Sequence, residues 1–251
     1  MNYGIDGNAA LVTASSSGLG KASAKTLARE GVDVVVNGRD PEKLDAAVEE
    51  VREAAADGVA VVGHRADITD PEAIVELVNR PVEEFGRLDH LVTSAGGPPR
   101  IGFFETTDED WYETFDLLVM AVVRAVWAAE PHLRADGGGT IVSITSLITK
   151  EASPSNPLSS CIRMATMGVS KCLSYEFGDD VRVNAIMPGL FDTPRREDSG
   201  SASVAADEVP LGRFGDAMEL GELVAFLSSD LSSYVTGAAI PVDGGALDST
   251  Q

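Results

Sequence analysis

The feature that most constrains this chain is alternation. Short, unbroken apolar runs recur along it, and each is followed by a stretch with helical start signals. Ala9–Thr13, Val32–Val36, Val59–Val62, Leu88–Val92, Thr140–Ile144, Val181–Ile186 and Ala238–Val242 read as strands. A strand that is apolar throughout is buried on both faces, as in a parallel sheet covered by helices on each side. Helices are expected over Leu19–Arg29, Asp40–Ala56, Asp70–Phe85, Asp108–Arg134, Asn156–Phe177 and Ala217–Leu227. Asp40-Pro41 and Asp70-Pro71 place a side-chain acceptor at the N-cap and a proline at the first helical position, where its missing N–H is not needed. The pattern predicts an α/β, doubly wound Rossmann fold, with a seven-stranded parallel sheet and helices on both faces, in one domain over residues 1–251.

Charge narrows the partners. Forty acidic residues stand against nineteen basic ones, a net charge of −21, and only Lys21, Lys25, Lys43, Lys150 and Lys171 are lysines. Such a surface repels nucleic acid and anionic lipid, which are drawn by positive charge. No uncharged apolar stretch reaches the roughly 18 residues of a membrane span. Met1–Ala9 carries Asp6 and no basic run, unlike a secretory signal. A cytoplasmic protein is expected, and the acidity with scarce lysine fits a salt-rich, halophilic cytoplasm. Cys161 and Cys172 lie three turns apart on one expected helix, about 16 Å along its axis. That exceeds the reach of a disulfide, and two free thiols fit a reducing compartment. Cys161 is expected to pack in its helix, and Trp111 and Trp127 to pack or to meet another subunit. His64, His90 and His132 have no metal-like spacing, so no metal is expected.

After the first strand comes Thr13-Ala14-Ser15-Ser16-Ser17-Gly18-Leu19-Gly20. Small residues let this backbone approach a pyrophosphate, and the next helix offers it N–H donors and the positive end of a dipole. Such turns are common, so the feature alone is weak. Ser199–Ala206 is a small-residue, flexible stretch after the sixth strand, on the side where such sheets bind ligands.

Together the motifs carry more. Thr13 to Gly20 looks like the TGxxxGxG turn of the short-chain dehydrogenase/reductase family. Asp67, followed by Ile68, matches its adenine-holding aspartate. Thr93-Ser94-Ala95-Gly96 looks like its NNAG. Pro188-Gly189 with Thr193 matches its PGxxxT segment, and Val235-Thr236-Gly237 with Val242-Asp243-Gly244-Gly245 resembles its C-terminal signature. The chain resembles this family along nearly its whole length. The resemblance implies a nicotinamide cofactor bound by Thr13, Ser15, Ser17, Gly18, Leu19, Gly20, Arg39, Asp67, Ile68, Ser94, Ala95, Gly96, Arg163, Pro188, Gly189 and Thr193. It also implies a homo-oligomer, a tetramer or dimer, built through the last helix and strand. Ala14 departs from the family glycine, and its methyl is tolerable only with φ below zero. In Asn37-Gly38-Arg39, Gly38 stands where NAD-using relatives carry an acid, and Arg39 suits a 2′-phosphate. NADP(H) is favoured and NAD(H) stays possible. Arg39 could equally be a surface arginine paired with Asp40 or Glu42.

The catalytic pattern breaks. The family uses a serine, then a tyrosine thirteen residues on, a lysine four further, and an asparagine on the long helix. Ser146 matches the serine. The tyrosine place holds Ser159, the lysine place Arg163 and the asparagine place Leu118. The residues four after Tyr3, Tyr112, Tyr175 and Tyr234 are Gly7, Asp116, Asp179 and Ala238, so no YxxxK exists. The departure resembles a 3-oxoacyl-carrier-protein-reductase-like subgroup with Ser and Arg at these places. Ser159 and Arg163 share a helix face. Arg163 can donate to ribose hydroxyls but cannot deprotonate, and an alkyl hydroxyl is a poor acid near neutrality. Ser146, Ser159 and Arg163 are the catalytic candidates, and Lys150 is a loop lysine that could also reach the pocket.

The expected activity is NADP(H)-dependent oxidoreduction of a small carbonyl compound, 3-oxoacyl-like or quinone-like, with a non-standard proton donor: water, substrate or a loop residue. The alternatives are a cofactor-binding subunit or sensor without catalysis, and lyase or oxygenase chemistry on the same scaffold. Because salt screens self-repulsion, the melting temperature should rise steeply between roughly 0.1 and 2 M KCl. A flat melting curve across that series would give the acidic surface another cause.

Overall fold

The computed structural model describes residues 3–194 and 205–249. Strands β1 (Ala9–Val12), β2 (Asp33–Gly38), β3 (Val61–Arg65), β4 (His90–Thr93), β5 (Gly139–Ile144), β6 (Val181–Pro188) and, at the far edge, β9 (Ala239–Val242) form one parallel sheet in the order β3-β2-β1-β4-β5-β6-β9. Helices α1 (Gly18–Arg29), α2 (Pro41–Ala54) and α7 (Ala217–Ser228) cover one face; α3 (Pro71–Phe85), α5 (Ala121–Leu133) and α6 (Pro157–Glu176) cover the other. Successive strand residues serve opposite cores: Ala10 and Val12 face α1, while Leu11 faces α3 and α5. This double burial is why the strands read as unbroken apolar runs. The expected fold class is the one observed.

Several boundaries differ from the sequence reading. β3 lies at Val61–Arg65 rather than Val59–Val62, because a turn that pairs the Val59 N–H with the Ala56 carbonyl delays pairing with β2. The expected long helix is two, α4 (Asp108–Phe115) and α5, joined by a π-helical turn over Asp116–Met120. Thr166 on α6 donates to the Leu118 carbonyl at 2.8 Å within that turn. A short pair, β7 (Phe191–Asp192) with β8 (Gly215–Asp216), was not foreseen. Most of the small-residue stretch Ser199–Ala206 lies outside the described residues. Among the described residues no helix is long and apolar enough to cross a membrane, and no cluster of His, Cys, Asp and Glu is placed to hold a metal.

Cys161 does not pack: it and Cys172 are exposed, on the outward face of α6 that also carries Met164 and Tyr175. Trp127 is exposed on α5, whereas Trp111 packs edge-on against Phe103 and donates its indole N–H to Thr106. His90 is buried between Asn8 and Thr140, and burial pushes it down to about 4, so it stays neutral. His132 meets Asn79.

The turn after β1 is stitched from both sides. Thr13 Oγ1 donates to the Ser94 carbonyl at 2.7 Å and accepts the Ser94 N–H at 2.8 Å. Asn37 Oδ1 accepts the Ala14 N–H at 2.9 Å while its Nδ2 donates to the carbonyls of His64 and Ala66. Held this way, Ala14 adopts φ +46°, the one positive φ outside glycine among the described residues. The condition that its methyl required, φ below zero, is not met. A non-glycine residue in the left-handed region costs roughly 1–2 kcal/mol. Ala14→Gly should therefore raise the melting temperature by about 2–4 °C, after part of the relief is lost to the freer unfolded chain. A melting temperature that is unchanged or lower would show that the turn holds Ala14 without strain.

Candidate active site

A cleft of about 700 Å³ opens at the carboxyl ends of the strands, where β1 and β4 lead in opposite directions along the sheet. One end is the turn of Ala14, Ser16, Ser17, Gly18, Leu19 and Gly20. Ser17 is the N-cap of α1 but makes no side-chain cap, so the helix directs uncapped N–H groups at the cleft. A Cβ on Gly20 would sit 2.7 Å from the Ala14 carbonyl oxygen, so only glycine allows this close approach of helix to strand. This geometry fits a dinucleotide pyrophosphate, with backbone donors and a helix dipole aimed at an anion.

Beside the turn, the ends of β2 and β3 bring together Gly38, Arg39, Ala66, Asp67 and Ile68. Burial pushes the Asp67 carboxyl up, but hydrogen bonds from the Thr69 N–H and hydroxyl, with Arg39 nearby, hold it below the ordinary range. Asp67 is therefore an ionised acceptor. Arg39 is exposed and pairs with Asp67 at 3.4 Å, not with Asp40 or Glu42. A Cβ on Gly38 would lie 2.8 Å from the Ser16 Cβ, so an acid at this position would collide with the turn.

The other end holds the three catalytic candidates, Ser146, Ser159 and Arg163. Ser146 follows β5 and caps a short turn over Leu147–Thr149. Ser159 and Arg163 project from the first two turns of α6 and are buried against the cleft. Arg163 Nε donates to Ser159 Oγ at 3.2 Å, Nη1 to the Thr145 carbonyl at 3.2 Å and Nη2 to the Gly96 carbonyl at 3.4 Å. One side chain thus ties α6 to the ends of β4 and β5. Leu118, at the asparagine place, is buried and outside the lining; its neighbour Leu117 lines the cleft. Pro188, Gly189 and Thr193 close the far wall, and a Cβ on Gly18 would come within 3.9 Å of Thr193.

Of the residues expected from sequence, the cleft gathers Ser17 to Gly20, Arg39, Asp67, Ile68, Ser94 to Gly96, Ser146, Ser159, Arg163, Pro188, Gly189 and Thr193. Thr13 and Ser15 do not line it. Both are buried behind the turn, Ser15 donating to the Val12 carbonyl and accepting the Asn37 N–H, so they support the cradle without lining it. Lys150 is exposed and outside the lining. Sequence reasoning missed Asn37, Arg100, Glu151 and Asn156. Asn37 carried a signal, a polar residue ending an apolar strand; the others sit in loops or at a helix start with no spacing to mark them.

Comparison with known proteins follows this geometry. The family profile described as Enoyl-(Acyl carrier protein) reductase matches residues 13–246. The chain is 32% identical to the 3-oxoacyl-[acyl-carrier-protein] reductase FabG of Thermotoga maritima, over 96% of this chain and 98% of that protein. Among solved structures it superposes on the L-sorbose reductase of Gluconobacter frateurii, complexed with NADPH and L-sorbose, with a TM-score of 0.92 and 35% identity over 99% and 100% of the two chains. A short-chain oxidoreductase from Pseudomonas aeruginosa PAO1, described as containing an atypical catalytic center, matches with a TM-score of 0.90 at 29% identity over 97% and 98%. Cradle, sheet order and relatives agree, and the chain belongs to the short-chain dehydrogenase/reductase family.

Proposed function

We propose that this protein reduces a small carbonyl compound with NADP(H), using two serine hydroxyls in place of a tyrosine acid. The observation that carries the proposal is the Arg163 Nε donation to Ser159 Oγ in a cleft also lined by Ser146. When bound, the nicotinamide supplies a hydride. The chain must then hold the carbonyl oxygen as negative charge grows on it. Because Ser159 Oγ accepts from a guanidinium, its own hydrogen is turned elsewhere and is strengthened as a donor by the adjacent charge. Ser146 supplies the second hydroxyl, and the pair act as an oxyanion hole. Arg163 stays protonated and buried Leu118 offers no polar side chain for a relay, so the final proton comes from water in the open cleft. Activated acceptors, 3-oxoacyl-like or quinone-like, need the least help from an enzyme acid.

The same reading gives the setting. The protein works in a salt-rich cytoplasm as a homo-oligomer, a dimer or tetramer. Besides the last helix and strand, through which the resemblance builds the oligomer, Tyr112, Phe115 and Trp127 on α4–α5 and Met164 and Tyr175 on α6 expose apolar surface suited to self-association. Light scattering in high salt reads it, and a monomer at micromolar concentration would exclude it.

Two outcomes test the chemistry. For the cofactor, calorimetry should show NADPH binding more tightly than NADH. Arg39→Ala should cost about tenfold in NADPH affinity alone, the worth of one exposed charge-assisted contact. Tighter NADH binding that ignores Arg39→Ala would reverse the assignment. For catalysis, Ser159→Ala should lower kcat by roughly 10²-fold, as expected for a lost oxyanion donor. The kcat profile should stay flat between about pH 7 and 9, since no side chain donates the proton. An ionisation in that window, abolished by Ser159→Ala, would make Ser159 the acid itself.

A further inference from the structure

Asn156 opens α6 three residues before Ser159, next to Pro157 at the first helical position. Asparagine is among the best N-caps, its side-chain oxygen normally accepting from the second or third helical N–H. Here it does not cap. Its backbone sits at φ −147°, ψ 60°, and the side chain makes no cap hydrogen bond. Among the described residues its Oδ1 has no hydrogen-bond partner, and it is buried, in a residue 8% exposed that lines the cleft with Ser146 and Ser159.

The backbone of Asn156 is held tightly. Its N–H donates to the Ser153 carbonyl at 3.1 Å, and its carbonyl accepts the Ser160 N–H at 3.0 Å and the Ser160 hydroxyl at 2.9 Å. Ser160 Oγ in turn accepts the Ser153 N–H at 3.1 Å. The backbone of Asn156 is thus fixed on both sides, while its side-chain oxygen is buried without a partner among the described residues. A buried acceptor left unmade is costly, and a rigid support is how a binding group is preorganised. The missing group must bring a donor. Glu151 of the same loop also lines the cleft, although its Oε1 is taken by the N–H groups of Asp248 and Ser249. The wall beyond Ser159 therefore offers an acceptor at Asn156 Oδ1. It suits a ligand with hydroxyl groups rather than a bare hydrocarbon chain.

We infer that Asn156 is a specificity residue whose Oδ1 accepts a hydrogen bond from a substrate hydroxyl close to the reacting carbonyl, so that the protein selects hydroxylated ketones. The inference rests on the proposed reduction only in naming that neighbouring carbonyl.

The test compares hydroxyacetone with 2-butanone, in which a methyl replaces the hydroxyl. Each is titrated into the NADP⁺-loaded protein by calorimetry and saturation-transfer NMR, and assayed with NADPH. Hydroxyacetone should bind at least about tenfold more tightly, the worth of one well-placed hydrogen bond. Asn156→Ala should bring the two ligands to near parity, and Asn156→Asp, which keeps an acceptor, should retain the preference. The melting temperature of Asn156→Ala should stay within about a degree of the wild type, because no cap is lost; loss of a working cap would lower it by several degrees. Equal binding, no binding of either ligand, a preference that survives Asn156→Ala, or a melting drop of cap size each overturns the inference. Hydroxyl preference without turnover would defeat the reduction and leave Asn156 standing. Turnover without hydroxyl preference would do the reverse.

Discussion

The structure hangs on one threonine. Where β1 and β4 part, the sheet must divide its crossovers to left and right, and the crevice that results would otherwise be free to splay. Thr13 closes it from beneath, its hydroxyl donating to the carbonyl of Ser94 and accepting the N–H of the same residue. Both hydrogen-bonding roles of one hydroxyl are used on the backbone of one residue. The turn after β1 and the loop that carries Ala95 and Gly96 are thereby fixed to each other. Asn37 does the same from the β2 side, holding Ala14 and the end of β3 together. The cleft is shaped by buried polar groups, Thr13 standing wholly behind it and Asn37 forming part of its wall.

Arg163 plays the matching part at the other end. A lysine in its place would have one nitrogen to share. The guanidinium distributes its donors over two backbone carbonyls, after β4 and β5, and a hydroxyl on α6, with a fixed planar geometry. Position and polarisation thus come from the same side chain. The arrangement has a cost in chemistry, since a group that never releases its proton cannot pass one along. It also explains why the neighbouring residue can be as small as serine: the space and the hydrogen bond both belong to arginine.

The fold was largely legible because its signals are periodic and local. Unbroken valine and leucine runs, Asp-Pro helix starts and small-residue turns each report a constraint within a few residues. The site was legible where it follows strand ends, as at Arg39, Asp67, Ser146 and Pro188. It was less so where burial decides. Thr13 and Ser15 stand in the binding turn, yet a strand's last inward step puts them behind it. Cys161 looked like packing because it sits in an amphipathic helix, but its place on the turn points outward. The π-helical turn at Asp116–Met120 left no mark, since it adds a residue to a pattern that is apolar on both sides. Asn156 read as an ordinary helix start because only three dimensions reveal that its oxygen has no partner.

The three exchanged positions also bear on what can be reversed. Ser159 and Arg163 are hydrogen-bonded to each other on one helix, Arg163 is tied also to the ends of β4 and β5, and Leu118 is buried apart from the cleft lining. Returning Arg163 to lysine would release the carbonyls of Thr145 and Gly96. Returning Leu118 to asparagine would set an amide among packed apolar groups, in a residue 3% exposed. Returning Ser159 to tyrosine would place a large ring over a guanidinium that already fills the space beneath it. Each exchange would thus disturb a hydrogen bond or a packed contact that the present side chain makes, so the three positions constrain one another's surroundings as much as any reaction does.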